Sequence, residues 1–168
     1  MKTLKVRLPL RYLPNGLTKT DKAAQIKMLL RSRALYKKNK YYTRRRTLPS
    51  YKNKKSSHLM DARKIYDVAT ITPNAKLSMK TGCTLSALKQ IVRKGEGAYY
   101  SSGSRPNQTA QSWGLARLAS SLTSGKSAAV DYDILERGCD HKKTAFILAN
   151  KSRKKYGDGH GWARKANA

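Results

Sequence analysis

Apolar positions recur three and four residues apart from Asp21 to Lys38, where Ala23, Ile26, Leu29, Leu30 and Ala34 predict an amphipathic helix capped by Thr18 or Thr20. Its other face carries Lys22, Arg31 and Lys38, so the helix lays an apolar stripe on a neighbour, or on its own domain, and shows charge outward. A second helix is expected from Ser57 to Asp67, with Leu59, Ala62, Ile65 and Tyr66 on one side, before Pro73 interrupts. From Ala75 two short helices are expected to meet at Gly82. Leu77 and Met79 precede that glycine, and Leu85, Leu88 and Ile91 follow at spacings of three. Gly82 suits the left-handed position that ends a helix, Thr84 or Ser86 caps the next, and Arg93, Lys94 and Gly95 mark its end.

The pattern then breaks. Gly95, Gly97, Gly103 and Pro106 predict a loop over "KGEGAYYSSGSRPNQTAQSW", Lys94 to Trp113, with Thr109 capping a buried helix striped by Leu115, Leu118, Ala119 and Leu122. Two readings of the loop compete. Its Ser-Gly-Ser amides, with Arg105, could cradle an anion, or the loop folds on itself with its hydroxyls and Asn107 capping backbone groups; the second is preferred. "TSGKSA" is not a nucleotide-binding loop, because Ser120 stands where its first glycine is needed. "SAAVDYDILERGC" predicts one helix with Asp131 and Asp133 in its first turn and Gly138 as its stop. "HKKTAFILANKSRKKYG" predicts a last helix with Ala145, Ile147 and Leu148 inward, and a tail through Trp162 that frays or docks on a neighbour.

Together these elements predict an all-α fold: a small helical domain containing a helix-turn-helix-like pair, with an extended basic N-terminal arm. The expected boundaries are an arm over 1–56, the helical domain over 57–156 and a flexible tail over 157–168, placed by the shift in charge and apolar patterning. Only Asp21 and Asp61 are acidic before Lys64. The segment from Asn39 to Lys55, "NKYYTRRRTLPSYKNKK", has no period and is expected to order only on a partner. Its Tyr41, Tyr42 and Tyr51 would stack on bases or on another protein, or the stretch is a plain linker.

Charge narrows the partner. With 37 Lys and Arg against 9 acids the formal net charge is +28, which points to a polyanion: nucleic acid, an anionic membrane face or acidic protein surfaces. No stretch is long and apolar enough for a membrane span or signal peptide, leaving at most peripheral contact with an inner membrane. Cys83 and Cys139 lack ligand spacing and are expected to be reduced, buried and separate. His58, His141 and His160 are scattered, so neither a metal nor a cofactor is expected. Nothing pairs a nucleophile with a base, so the chain is read as a non-enzyme without catalytic residues.

The stretch "AKLSMKTGCTLSALKQIVRKG" resembles a repressor-type helix-turn-helix, in which the second helix enters the major groove. That likeness puts Thr84, Ser86, Lys89, Gln90 and Arg93 toward DNA, Gln90 as base reader and Lys89 and Arg93 on phosphates. A plain helical hairpin in the core is the alternative. The nucleic-acid-binding candidates are therefore Arg44, Arg45, Arg46, Lys52, Lys54, Lys55, Lys89, Gln90, Arg93 and Arg105.

The run "GAYYSSGSRPNQT", with "LYKKNKYYTRRR" and "KTGCTLSALKQIVRKGEGAYY", resembles a family of small basic proteins encoded by large eukaryotic DNA viruses of the algal-virus and giant-virus type. The resemblance spans most of the chain. It implies a virion component made in the host cytoplasm or nucleus, a minor capsid or cement protein inside the shell with other capsid proteins as partners. The alternative is a protein that binds double-stranded DNA non-specifically and condenses the genome. A cement protein would thread its tyrosine-rich arm between capsomers, whereas a genome-binding protein would show a steep salt dependence.

Overall fold

A computed structural model describes residues 6–43, 45–160 and 164–167, and the chain is a small, mostly helical fold as expected. By its internal contacts it divides into two units. The first takes Met1–Lys54, Gly97–Ala110 and Trp162–Ala168, and the second takes Lys55–Glu96 and Gln111–Gly161. The first unit is thus assembled from three separated pieces of chain, where sequence predicted a single arm over 1–56.

In the first unit, β1 (Arg7–Pro9) pairs antiparallel with β2 (Lys165–Asn167), Leu8 opposite Ala166. The Leu10 amide extends the pairing by donating to the Arg164 carbonyl at 2.8 Å. Residues 164–167, expected as part of a flexible tail, are therefore tied down by backbone hydrogen bonds. The expectation for Trp162 lies outside the described residues.

A 3-10 turn at Leu10–Tyr12 leads to α1 (Lys19–Tyr36), which Thr18 caps by accepting from the Asp21 amide at 3.2 Å. The cap was legible; the buried face was legible only in part. Of the predicted stripe Leu29 is buried and Ile26 and Leu30 are half-buried, but Ala23 and Ala34 are exposed, and α1 buries Asp21, Gln25, Met28 and Ser32 beside Leu29. That face keeps helical spacing, yet three of its five members are polar and survive burial because each is hydrogen-bonded. Gln25 donates to the carbonyls of Tyr12 and Ser104 at 3.1 and 3.2 Å, and Ser32 donates to the Tyr100 carbonyl at 2.9 Å.

The segment after α1, expected to order only on a partner, is anchored within this unit. Asn107, at φ 61, accepts from the Leu48 amide at 2.7 Å and donates to the carbonyls of Leu48 and Tyr51 at 3.1 and 3.3 Å. Asp21 accepts from the Ser50 amide at 3.0 Å and its hydroxyl at 2.5 Å, and Leu48 is fully buried. Side-chain to backbone bonds replace the apolar period that the sequence lacks.

The second unit holds α2 (Ser57–Tyr66), α3 (Ala75–Thr81), most of α4 (Leu85–Ser101) and α5 (Ala110–Ser121), then α6 (Lys126–Val130), α7 (Tyr132–Gly138) and α8 (Thr144–Tyr156). Its core gathers Tyr66, Leu77, Leu88, Ile91, Leu118, Leu122, Leu135 and Phe146 among others. The Tyr66 hydroxyl donates to the Leu122 carbonyl at 2.6 Å, and burial pushes this phenol well above its usual range.

Helix α4 runs on to Ser101, past the stop expected at Gly95. The glycine is there for closeness rather than termination: a Cβ on Gly95 would stand 2.6 Å from the Gly114 Cα of α5, and one on Gly114 would stand 2.7 Å from the Val92 carbonyl oxygen. Half of the expected loop is consequently helix. Farther on, the single helix expected over 127–138 is two. Asp131, at φ −95 and ψ 15, breaks it between α6 and α7 and turns its fully buried carboxylate to the Arg117 guanidinium, at 2.6 and 2.9 Å. Ser121 and Lys94 complete the shell of that carboxylate, both at 3.1 Å. In α8 the inward residues are Ala145, Phe146, Ala149 and Ser152, and Ile147 is exposed.

The expectation of two separate thiols is overturned. Cys83 and Cys139 form a disulfide across 56 residues of sequence, and both are buried. The pairing arises because the α3–α4 turn lies against the α7–α8 turn. The Thr84 amide donates to the Gly138 carbonyl at 2.7 Å, and the Asp140 amide to the Gly82 carbonyl at 2.8 Å.

Candidate nucleic-acid interface

Charge is unequally divided between the two units. The first has 20 Lys and Arg against one acid, Asp21, and the second has 17 against 8. The sole acid of the first unit is engaged by Ser50, whose hydroxyl and then amide hold its carboxyl below the ordinary range. The field of that unit is therefore positive almost without relief.

The arginine run of the first unit separates into different roles. Arg44 lies outside the described residues. Arg45 is turned inward: Nη1 donates to Ser104 Oγ at 3.1 Å, and Nη2 donates to Ser32 Oγ at 2.9 Å and to the Tyr99 carbonyl at 2.6 Å. Its guanidinium stands 3.8 Å from the Tyr99 ring centroid, a cation–π contact that supports a buried charge. Desolvation lowers the Arg45 pKa and raises that of the Tyr99 phenol, while each group's charge opposes the other's shift. Arg46, Lys52, Lys54, Lys55 and Arg105 are exposed. Arg45, Arg46 and Arg105 come together around one cavity of about 120 Å³, which Lys52 and Lys54 do not line.

The tyrosines expected to stack on a partner also divide. Tyr42 lies beneath the Arg31 guanidinium at 4.8 Å, whereas Tyr41 is 63% exposed and leans on Tyr100 at 4.8 Å between ring centroids. Tyr36 closes the cluster at 6.2 Å from Tyr41. Lys37, Lys38 and Lys40 are exposed in the segment that joins Tyr36 to Tyr41. Sequence reasoning named Tyr41 but missed Tyr36 and Tyr100, which lie in different predicted elements; only the Tyr99-Tyr100 doublet hinted at them.

In the second unit the helix-turn-helix-like pair forms as the spacing predicted. Gly82 ends α3 at φ 74, and Thr84 Oγ1 accepts from the Ala87 amide at 3.2 Å to start α4. Ser86, Lys89, Gln90 and Arg93 are exposed on one side of α4, while Leu88 and Ile91 face the core. Thr84, Ser86 and Gln90, with Arg137, line a shallow depression of about 300 Å³. The disulfide and its two flanking backbone bonds hold the turn that presents this face.

Among the described residues no helix is long and apolar enough to cross a membrane, and no group of three or more His, Cys, Asp or Glu is placed to hold a metal. Residues 9–138 match the model of a family of unknown function, DUF5824. No curated protein and no solved structure matches the chain.

Proposed function

We propose that this chain, which belongs to the DUF5824 family, binds nucleic acid through phosphate contacts, without dependence on base sequence. The observation that carries this is the 20-to-1 ratio of basic to acidic residues in the first unit, whose one carboxylate is already engaged. A surface so unbalanced attracts a polyanion and releases its counterions on contact. Exposed Tyr41 beside Lys37, Lys38 and Lys40 adds a stacking face for unpaired bases. The α4 face with Lys89, Gln90 and Arg93 offers further polar and cationic contacts.

The viral resemblance supplies a setting for this reading, in which the bound polymer is the packaged genome. The cement-protein reading called for an arm ordered by capsid neighbours; with Leu48 to Tyr51 held by Asn107 and Asp21, that motive weakens. The nucleic-acid reading needs no such arm.

Titration of the full chain into labelled duplex and single-stranded oligonucleotides at several salt concentrations tests the proposal. A linear fall of log K with log salt is expected, with a smaller slope for Lys37→Gln/Lys38→Gln/Lys40→Gln. Absence of binding at low salt, or binding indifferent to salt, would overturn it.

A further inference from the structure

We propose that the cavity lined by Arg45, Arg46 and Arg105 is a binding site for a phosphate dianion, the end of a nucleic-acid strand or the free ion. The inference rests on the nucleic-acid reading only for the first of these sources. Three arginines line a cavity of about 120 Å³ together with Ser104, and among the described residues no Asp or Glu lines it. Like charges gathered around one cavity repel one another unless an anion sits between them.

The charge balance selects the anion. Asp21, the one acid of the first unit, does not line the cavity, so the charge of the three arginines is left for a ligand to meet. A phosphate monoester carries close to two negative charges near neutral pH, since its second pKa is about 6; free phosphate is there a mixture of monoanion and dianion from which the site would take the dianion, and a backbone diester carries one charge. Shape points the same way, because several guanidinium forks present more N–H donors than the two oxygens of a carboxylate accept. Size excludes larger ligands: small-molecule sites occupy roughly 300–1,000 Å³, so this cavity admits a charged group and not a whole nucleotide.

One donor of these arginines is unsatisfied. Among the described residues the Arg45 Nε is buried without a hydrogen-bond partner, although both terminal nitrogens of the same guanidinium are engaged. A buried N–H of a cation with no acceptor is a group that an anion can satisfy. Arg105 carries no ion pair among the described residues.

Two measurements on the full chain decide the matter. The first follows the Arg45 Nε–H resonance during addition of sodium phosphate, against sodium chloride at equal ionic strength. A phosphate-specific shift is expected in the wild type and in Lys52→Gln/Lys54→Gln, and none in Arg46→Gln/Arg105→Gln. Arg45 is left intact because of its internal bonds. The second compares single-stranded oligonucleotides of one sequence with a 5′-phosphate or a 5′-hydroxyl. Preference for the phosphorylated end by about tenfold, abolished in Arg46→Gln/Arg105→Gln but kept in Lys52→Gln/Lys54→Gln, identifies the strand end as the source. A resonance shift without that preference identifies the free ion. A shift with neither oligonucleotide bound leaves the site standing and removes the nucleic-acid reading instead. Neither shift nor preference overturns the proposal.

Discussion

Gly95 and Gly114 meet where α4 crosses α5, so closely that a methyl group on Gly95 would stand 2.6 Å from the Gly114 Cα. Gly95→Ala should destabilise the protein by about 1–3 kcal/mol, as overpacking does when the obstacle is backbone. Gly97 lies two residues on in the same helix, and a methyl group there would meet nothing within 4 Å. Gly97→Ala should be neutral or stabilise by up to about 1 kcal/mol through helix propensity alone. Urea midpoints of the two variants give the comparison, and equal effects would refute the crossing.

Asp131 has a fully buried carboxylate shared by Arg117, Lys94 and Ser121. Asp131→Asn strands the Arg117 guanidinium beside a neutral amide and should cost about 3–5 kcal/mol, the range for breaking a buried pair from one side. Asp131→Asn/Arg117→Gln should cost less than the sum of the single changes. Additivity in a double-mutant cycle would show that the two side chains do not depend on one another.

The Cys83–Cys139 bridge closes 56 residues of chain. By loop-closure entropy, Cys83→Ser/Cys139→Ser should lose about 4 kcal/mol. Chemical denaturation with and without reductant provides a second route to the same quantity. Indifference of the wild type to reductant under conditions that reduce the bond would contradict a stabilising bridge.

Asp21 gives the first unit an acid-sensitive joint. Its folded pKa is depressed, first by the Ser50 hydroxyl and then by the Ser50 amide. A depressed carboxylate contributes stability that is present above the unfolded value of about 3.9 and lost as pH falls through the lower folded value. Asp21→Asn should therefore melt below the wild type near neutral pH, and the two should converge as pH drops under about 4. A constant difference down to low pH would place the origin of the effect elsewhere.

These elements also show where sequence reading succeeds. Thr18, Gly82 and Thr84 were legible because a cap is a local event, decided by a few residues of adjoining backbone. The exposed run of Lys89, Gln90 and Arg93 followed from the core positions of Leu88 and Ile91 in the same helix. Gly95 misled because helix-ending and helix-crossing glycines look alike until the second helix is in place. The face of α1 misled because Asp21, Gln25 and Ser32 are buried by bonds to distant backbone, which hydrophobic periodicity does not register. The disulfide was hidden by the distance in sequence between two turns. Arg45, Arg46 and Arg105 were each named as anion contacts, but their convergence belongs to the fold, since 59 residues separate Arg46 from Arg105.

The strand pair Arg7–Pro9 and Lys165–Asn167 has a consequence for biosynthesis. A ribosome makes β1 before any of the second unit but cannot supply its hydrogen-bonding mate until the whole of that unit has been translated. Nascent chains that end before residue 165 must therefore carry the Leu8 edge unpaired, while the helices of the second unit, with their shorter-range contacts, are free to assemble first.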